Sequence, residues 1–280
     1  MTDALTSFIE NALLEDIGDG DKTTLATIPS HQKGIANFIV KENCIIAGIE
    51  LTSLICEKVD SQLVVNFNCT DGDYVDDIPC TIGNISGSIH SILKVERVLL
   101  NCMQRMSAIA TKTNHFVEIV KPFGVQILDT RKTTPNFRVC EKWAVKIGGG
   151  VNHRIGLYDQ ILIKDNHIKA AGDIQKAIES CLKYVVDHHL TIPIIVEVKN
   201  KEEFKNASSF HEVDRILLDN MTPLEIEQIV QLNNQSKLLE ASGGINESNI
   251  EDYAKTKVDY ISIGDLTHHV KAVDISLKIV

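Results

Sequence analysis

Leu5, Phe8, Ile9, Ala12 and Leu13 recur at helical spacing over residues 4–17, which predicts an amphipathic helix. The turn-rich Gly18-Asp19-Gly20-Asp21 ends it. Short β-like runs follow at 36–40, 63–67 and 81–89, with a helix predicted at 49–59 between the first two. Strands and helices mixed at irregular intervals imply a small α+β domain. Helical periodicity returns at 91–120 and Pro122 stops it, because proline removes a helix donor and clashes with the preceding turn. A domain boundary is expected inside or near this long helix.

Beyond Pro122 the pattern changes. Apolar runs at 125–129, 161–164, 194–198, 215–219, 237–240 and 260–264 each end in polar residues and each precede a helix-like stretch. From Glu197 to Asp219, Glu240 and Gly264 the intervals are 22, 21 and 24 residues, the length of a compact β-loop-α-loop unit. Runs without strict alternation are what strands buried on both faces require. Repeated units of this kind build a parallel sheet, either open or closed into a barrel. Asp129, Lys164, Glu197, Asp219, Ser242 and Gly264 all fall at C-terminal strand ends, which in a barrel converge on the mouth that carries the active site. Six clear strands instead of eight leave closure undecided.

Composition narrows the function. The 280 residues, 44% of them apolar, suffice for two domains or one barrel with additions. A net charge of −10 disfavours nucleic acid and anionic membranes as partners. Residues 94–169 nevertheless hold 13 basic and 6 acidic side chains, a local excess that fits either an anion-binding wall or a solvated face. The 7 cysteines show no C-x-x-C spacing, and the expectation is free thiols in a cytoplasmic protein. No apolar run approaches the ~18 residues of a membrane span.

Four clusters carry candidate chemistry. Asp129-Thr-Arg131-Lys132-Thr-Thr-Pro135 combines a planar guanidinium fork, an ammonium and hydroxyls, an anion site or a solvated basic turn. In Gly148-Gly-Gly-Val-Asn-His153-Arg154, three glycines imply close approach to a ligand or a tight bend, and His153 and Arg154 add donors. Lys164-Asp-Asn-His167 offers either a Schiff-base lysine or another anion contact. The carboxylates of Glu197 and Asp219 could bind a metal or vicinal hydroxyls, or merely cap the following helices. Finally, Ser242-Gly243-Gly244 with Gly264 and His268 suits a phosphate held by amides where helices open over the last two strands.

These segments resemble the quinolinate phosphoribosyltransferase family. The resemblance rests on Asp129-Thr-Arg-Lys-Thr-Thr-Pro, Gly-Gly-Gly-Val-Asn-His-Arg, Leu-Ile-Lys-Asp-Asn-His, Leu-Leu-Asp-Asn and Glu-Ala-Ser-Gly-Gly-Ile. Glu15-Asp-Ile-Gly-x-Gly-Asp-x-Thr-Thr and Glu96-Arg97 extend it over nearly the whole chain. It implies an α/β protein: an N-terminal α/β sandwich over residues 1–110, completed by 266–280, and an incomplete TIM-like parallel α/β barrel of fewer than eight strands over 111–265.

The resemblance further implies phosphoribosyl transfer from phosphoribosyl pyrophosphate to quinolinate with decarboxylation, in NAD biosynthesis, with Mg2+, in a homodimer with shared active sites. Arg131, His153, Arg154 and Lys164 would hold quinolinate, with Arg97 crossing from the partner subunit. Lys132 and Lys164 would face the pyrophosphate, Glu197 and Asp219 the ribose hydroxyls and Mg2+, and Ser242, Gly243, Gly244, Gly264 and His268 the 5′-phosphate. Lys132, Lys164, Glu197 and Asp219 would be the catalytic set, while Lys199 and Asp265 lie near it without an assigned role. The alternatives are a relative associated with molybdenum transport and a Schiff-base aldolase using Lys164.

Overall fold

A computed structural model describes residues 3–280, and the chain divides into two compact units. The first comprises the stretch up to Asn114, Thr133–Gly149 and Leu266–Val280; the second comprises His115–Lys132 and Gly150–Asp265. The strands are β1 (Lys33–Val40), β2 (Cys44–Ile45), β3 (Val64–Phe67), β4 (Tyr74–Val75), β5 (Cys80–Ser88), β6 (Gln126–Leu128), β7 (Ile161–Ile163), β8 (Ile194–Val198), β9 (Arg215–Asp219), β10 (Leu238–Ser242), β11 (Tyr260–Ser262) and β12 (Ile275–Ile279).

In the first unit, four strands form an antiparallel sheet in the order β12-β1-β5-β3, and β2 pairs with β4. Along β1, Ala36, Phe38 and Val40 are buried, the period-2 pattern of a half-buried strand. The helix Ile89–Val120 buries Ile92, Val95, Leu99, Met103 and Met106, a stripe at three- and four-residue spacing that turns one face inward.

Thr133–Gly149, inside the range 111–265 expected for the barrel, groups instead with the first unit. A buried carboxylate is the reason. Glu141 is fully buried and accepts from Arg105 Nε and Nη2 at 3.1 and 2.9 Å and from the Thr134 amide at 3.0 Å. Phe137 adds a ring contact to Phe8, with centroids 5.1 Å apart.

The second unit is an all-parallel six-stranded sheet in the order β6-β11-β10-β9-β8-β7. The strand earliest in the chain, β6, lies next to the last, β11, which is barrel connectivity. Val151 adds an isolated parallel bridge to Leu128. No strand pairing joins that side to β7 among the described residues, so the barrel is incomplete.

Residues two apart on a strand share a face, and the register turns this into layers. Glu197, Leu217 and Glu240 are level with one another, as are Asp219, Ser242 and Ser262 one layer nearer the C-terminal ends. Arg215 lies one layer below Leu217. Among the described residues no helix is long and apolar enough to cross a membrane.

Candidate active site

The C-terminal ends of the parallel strands border a cavity of about 550 Å³, within the size range of small-molecule sites. Its lining includes Arg131, Lys132, His153, Arg154, Lys164, Glu197, Asp219, Ser242, Gly243, Gly244 and Gly264, so these sequence-derived candidates converge. Leu162, Leu217, Asn220 and Glu240 also line it. Arg97 and His268 belong to the first unit and are not among the lining residues.

Asp129, completely buried at the end of β6, fixes the loop carrying His153 and Arg154. Its Oδ1 accepts the His153 amide at 2.8 Å. The Arg154 amide in turn donates to His153 Nδ1 at 2.7 Å. The Arg154 guanidinium is lowered from its ordinary pKa, first by burial and then by the like charge of Arg131. Two guanidinium groups held near each other at a cavity wall favour an anion between them.

Two of the three glycines before this loop answer to packing and to a bend. A Cβ on Gly148 would come within 2.8 Å of Thr113 Cβ and closer still to the Ala110 carbonyl oxygen, and Gly149 has φ +89°. Gly148 also caps the helix Arg138–Ile147. The expected close approach is therefore to the long helix, in addition to a tight bend.

Glu197 and Asp219 do not cap the helices that follow them. Asn200 and Thr222 do so, accepting from the amides of Glu202 and Glu203 and of Glu225. Glu197, almost fully buried, instead accepts from Lys164 Nζ at 3.0 Å, and Asp219 accepts from Asn220 Nδ2 at 2.9 Å. Lys199 donates to Asp165 at 3.0 Å, and this bond, reinforced by the charges of Asp165, Asp219 and Glu197, raises its pKa. The mouth thus holds cations and carboxylates already interleaved.

The expected phosphate cradle is a turn at Ser242–Gly244, whereas Gly264 directly precedes the short helix Asp265–His268. Gly243 and Gly244 adopt φ +98° and +65°, and the next helix starts only at Ile250. Neither glycine amide is used in a hydrogen bond among the described residues, which leaves donors at the cavity for an anion. Asn220, absent from the sequence-derived set, braces this turn: its amide donates to the Ser242 carbonyl at 2.8 Å. Its own φ of +56° is the conformation asparagine tolerates better than most residues, and its place in the Leu-Leu-Asp-Asn motif is the signal that could have pointed to it.

The basic excess of residues 94–169 is only partly an anion wall. Arg131, Lys132, Arg154 and Lys164 line the cavity, whereas Arg105 pairs with Glu141 and Lys121 with Glu118 elsewhere.

Comparison with known proteins matches residues 21–107 to the family model "Quinolinate phosphoribosyl transferase, N-terminal domain" and residues 109–278 to its "C-terminal domain". The chain belongs to the quinolinate phosphoribosyltransferase family. Within this family, a nicotinate-nucleotide pyrophosphorylase [carboxylating], chloroplastic, of Arabidopsis thaliana is 44% identical over 98% of this chain and 82% of its own length. Quinolinate phosphoribosyltransferase [decarboxylating] 1b of Nicotiana tabacum is 43% identical with the same coverage. The structure of the nicotinate-nucleotide pyrophosphorylase from Francisella tularensis superposes with a TM-score of 0.91 at 36% identity, covering 99% of this chain and 96% of that one. Quinolinate phosphoribosyltransferase membership displaces the aldolase alternative, and Lys164 is ion-paired with Glu197.

Proposed function

We propose that this chain transfers the phosphoribosyl group of phosphoribosyl pyrophosphate to quinolinate, giving nicotinate mononucleotide, pyrophosphate and CO2 for NAD biosynthesis. The observation that carries this reading is one cavity lined at once by paired guanidinium groups, two carboxylates on adjacent strands and a glycine turn with unused amides. Quinolinate has two carboxylates for Arg131, Arg154 and Lys164. The ribose hydroxyls suit Glu197 and Asp219, and the 5′-phosphate suits Ser242, Gly243, Gly244 and Gly264.

The chemistry follows from charge placement. As the bond from the anomeric carbon to pyrophosphate breaks, its electron pair leaves with the pyrophosphate and the sugar gains oxocarbenium character. Glu197 and Asp219 offset that positive charge, and Lys132 and Lys164 offset the charge of the leaving group. The pyridine nitrogen lone pair then forms the new N–C bond. The resulting pyridinium accepts the electrons released as the bond to the 2-carboxylate breaks, and a proton replaces CO2 at that carbon. Positioning and electrostatics suffice, with no covalent enzyme intermediate.

The oxygen donors of Glu197 and Asp219 suit Mg2+, which when bound would neutralise pyrophosphate charge. A homodimer, with Arg97 of one subunit supplied to the site of the other, would complete the quinolinate pocket. The deciding experiment mixes protein, Mg2+, quinolinate and phosphoribosyl pyrophosphate and assays nicotinate mononucleotide. Folded protein that makes none would reject the proposal.

A further inference from the structure

Glu240 raises a question that the transfer reaction alone does not answer. It is completely buried at the cavity floor, level with Leu217 on one side, and one layer beneath Ser242. A charge removed from water is costly, and a well-packed hydrophobe in its place is often no worse for folding. Leu217 shows that this layer accepts one. Something other than packing must account for a carboxylate there.

Its neighbours supply the account. Glu240 Oε2 lies 3.5 Å from His153 Nε2 and 3.2 Å from Arg215 Nε. Arg215 is held from the other side, its guanidinium 5.0 Å from the centre of the Tyr260 ring. The His153 ring is constrained on both nitrogens. Nδ1 accepts the Arg154 amide, and an accepting nitrogen carries no proton, so the ring proton sits on Nε2 and faces Glu240. Burial alone would push the Glu240 carboxyl up, but the facing His153 ring, then the charge of Arg215 and the nearby Ser262, bring it below its usual range.

We propose that Glu240 is a positioning residue that fixes the orientation and tautomer of His153 and, through it, the presentation of Arg154 to the dicarboxylate substrate. Asp129 anchors the His153 backbone and Glu240 faces its ring across 3.5 Å, so the loop is held from two sides before Arg154 enters the cavity. The inference rests on the proposed quinolinate reaction. At metal sites a carboxylate behind a ligating histidine sets affinity or activity by about 10- to 100-fold, and the lower end of that scale is expected here.

Steady-state kinetics of the wild type, Glu240→Gln, His153→Gln and the double variant test it. Wild-type turnover of quinolinate tests the function; the variants test this inference. Each single substitution is expected to raise the KM for quinolinate about tenfold, leaving the KM for phosphoribosyl pyrophosphate within about twofold. The double variant should be no worse than the poorer single one, because both act through one route. Multiplicative losses, or a loss confined to phosphoribosyl pyrophosphate, would overturn the proposal. The wild type gives an independent readout should a variant fail to fold: nitrogen NMR shifts of His153 should report the Nε2–H tautomer, and the Nδ1–H form would overturn it.

Discussion

Asn220 occupies the space that a side chain on Gly243 would need. A Cβ at Gly243 would strike the Asn220 carboxamide and come within 2.9 Å of its backbone nitrogen, while φ at Gly243 is +98°. Gly244, at φ +65°, has open space around it. Gly243→Ala should therefore lose about 1–3 kcal/mol of stability through strain and raise the KM for phosphoribosyl pyrophosphate. Gly244→Ala should cost about 1 kcal/mol. Urea unfolding and steady-state kinetics measure both, and equal costs would contradict the brace.

Glu197→Gln and Asp219→Asn remove negative charge where oxocarbenium character develops. Each should reduce kcat by about 100- to 1,000-fold, the scale for one electrostatic group aimed at a transition state. A rise in KM with kcat unchanged would show that these carboxylates only bind ground-state hydroxyls.

A site shared between subunits has a distinctive genetic signature. Arg97→Ala should lose about 2–5 kcal/mol of quinolinate binding if the guanidinium crosses the interface. Mixing subunits of Arg97→Ala with those of Arg154→Ala should then restore activity, because some mixed sites receive both arginines intact. Absence of recovery in verified mixed dimers would put both residues in one subunit's site.

Glu141→Ala should destabilise the protein by about 3–5 kcal/mol, because it leaves the half-buried Arg105 without the carboxylate it meets at 2.9 Å. Glu141→Gln should cost less, since the amide oxygen can still accept. The shift in urea midpoint at constant slope reads the difference.

The thiols set an alkaline limit. Burial pushes Cys44 and Cys69 from 9.0 to about 11 and Cys56 and Cys102 to about 12. The unfolded chain therefore releases these protons first. Stability is unaffected below pH 9 and falls as pH rises from there through the folded values. Alkylation of these cysteines at pH 8 should be slow in native protein and fast in denaturant.

Which parts of this were legible beforehand follows from which physics is local. The repeat from Glu197 through Asp219 and Glu240 to Gly264 marked strand ends, because buried parallel strands must be short apolar runs. Hence most of the cavity wall could be read directly. Cap chemistry could have removed the doubt over Glu197 and Asp219, since Asn200 and Thr222 stand at the cap positions. Gly148 was different: its need is an Ala110 carbonyl 38 positions earlier in the chain, and no local pattern carries that. The same holds for Glu141, whose partner Arg105 is visible only after folding, and for Glu240, which reads as one more polar strand end until His153 and Arg215 are seen around it.

The two larger sheets are each completed by a strand that comes late in the sequence. Ile279 pairs with Ala36 in the first unit, and Tyr260 pairs with Gln126 in the second. Pairings so distant in sequence carry a large loop-closure cost and form late. During synthesis, then, the second sheet cannot be completed until residues 260–262 have been added, nor the first until residues 275–279. A ribosome stalled before β11 would hold a chain with two open sheet edges, a substrate for chaperones and proteases, and never a partly active enzyme.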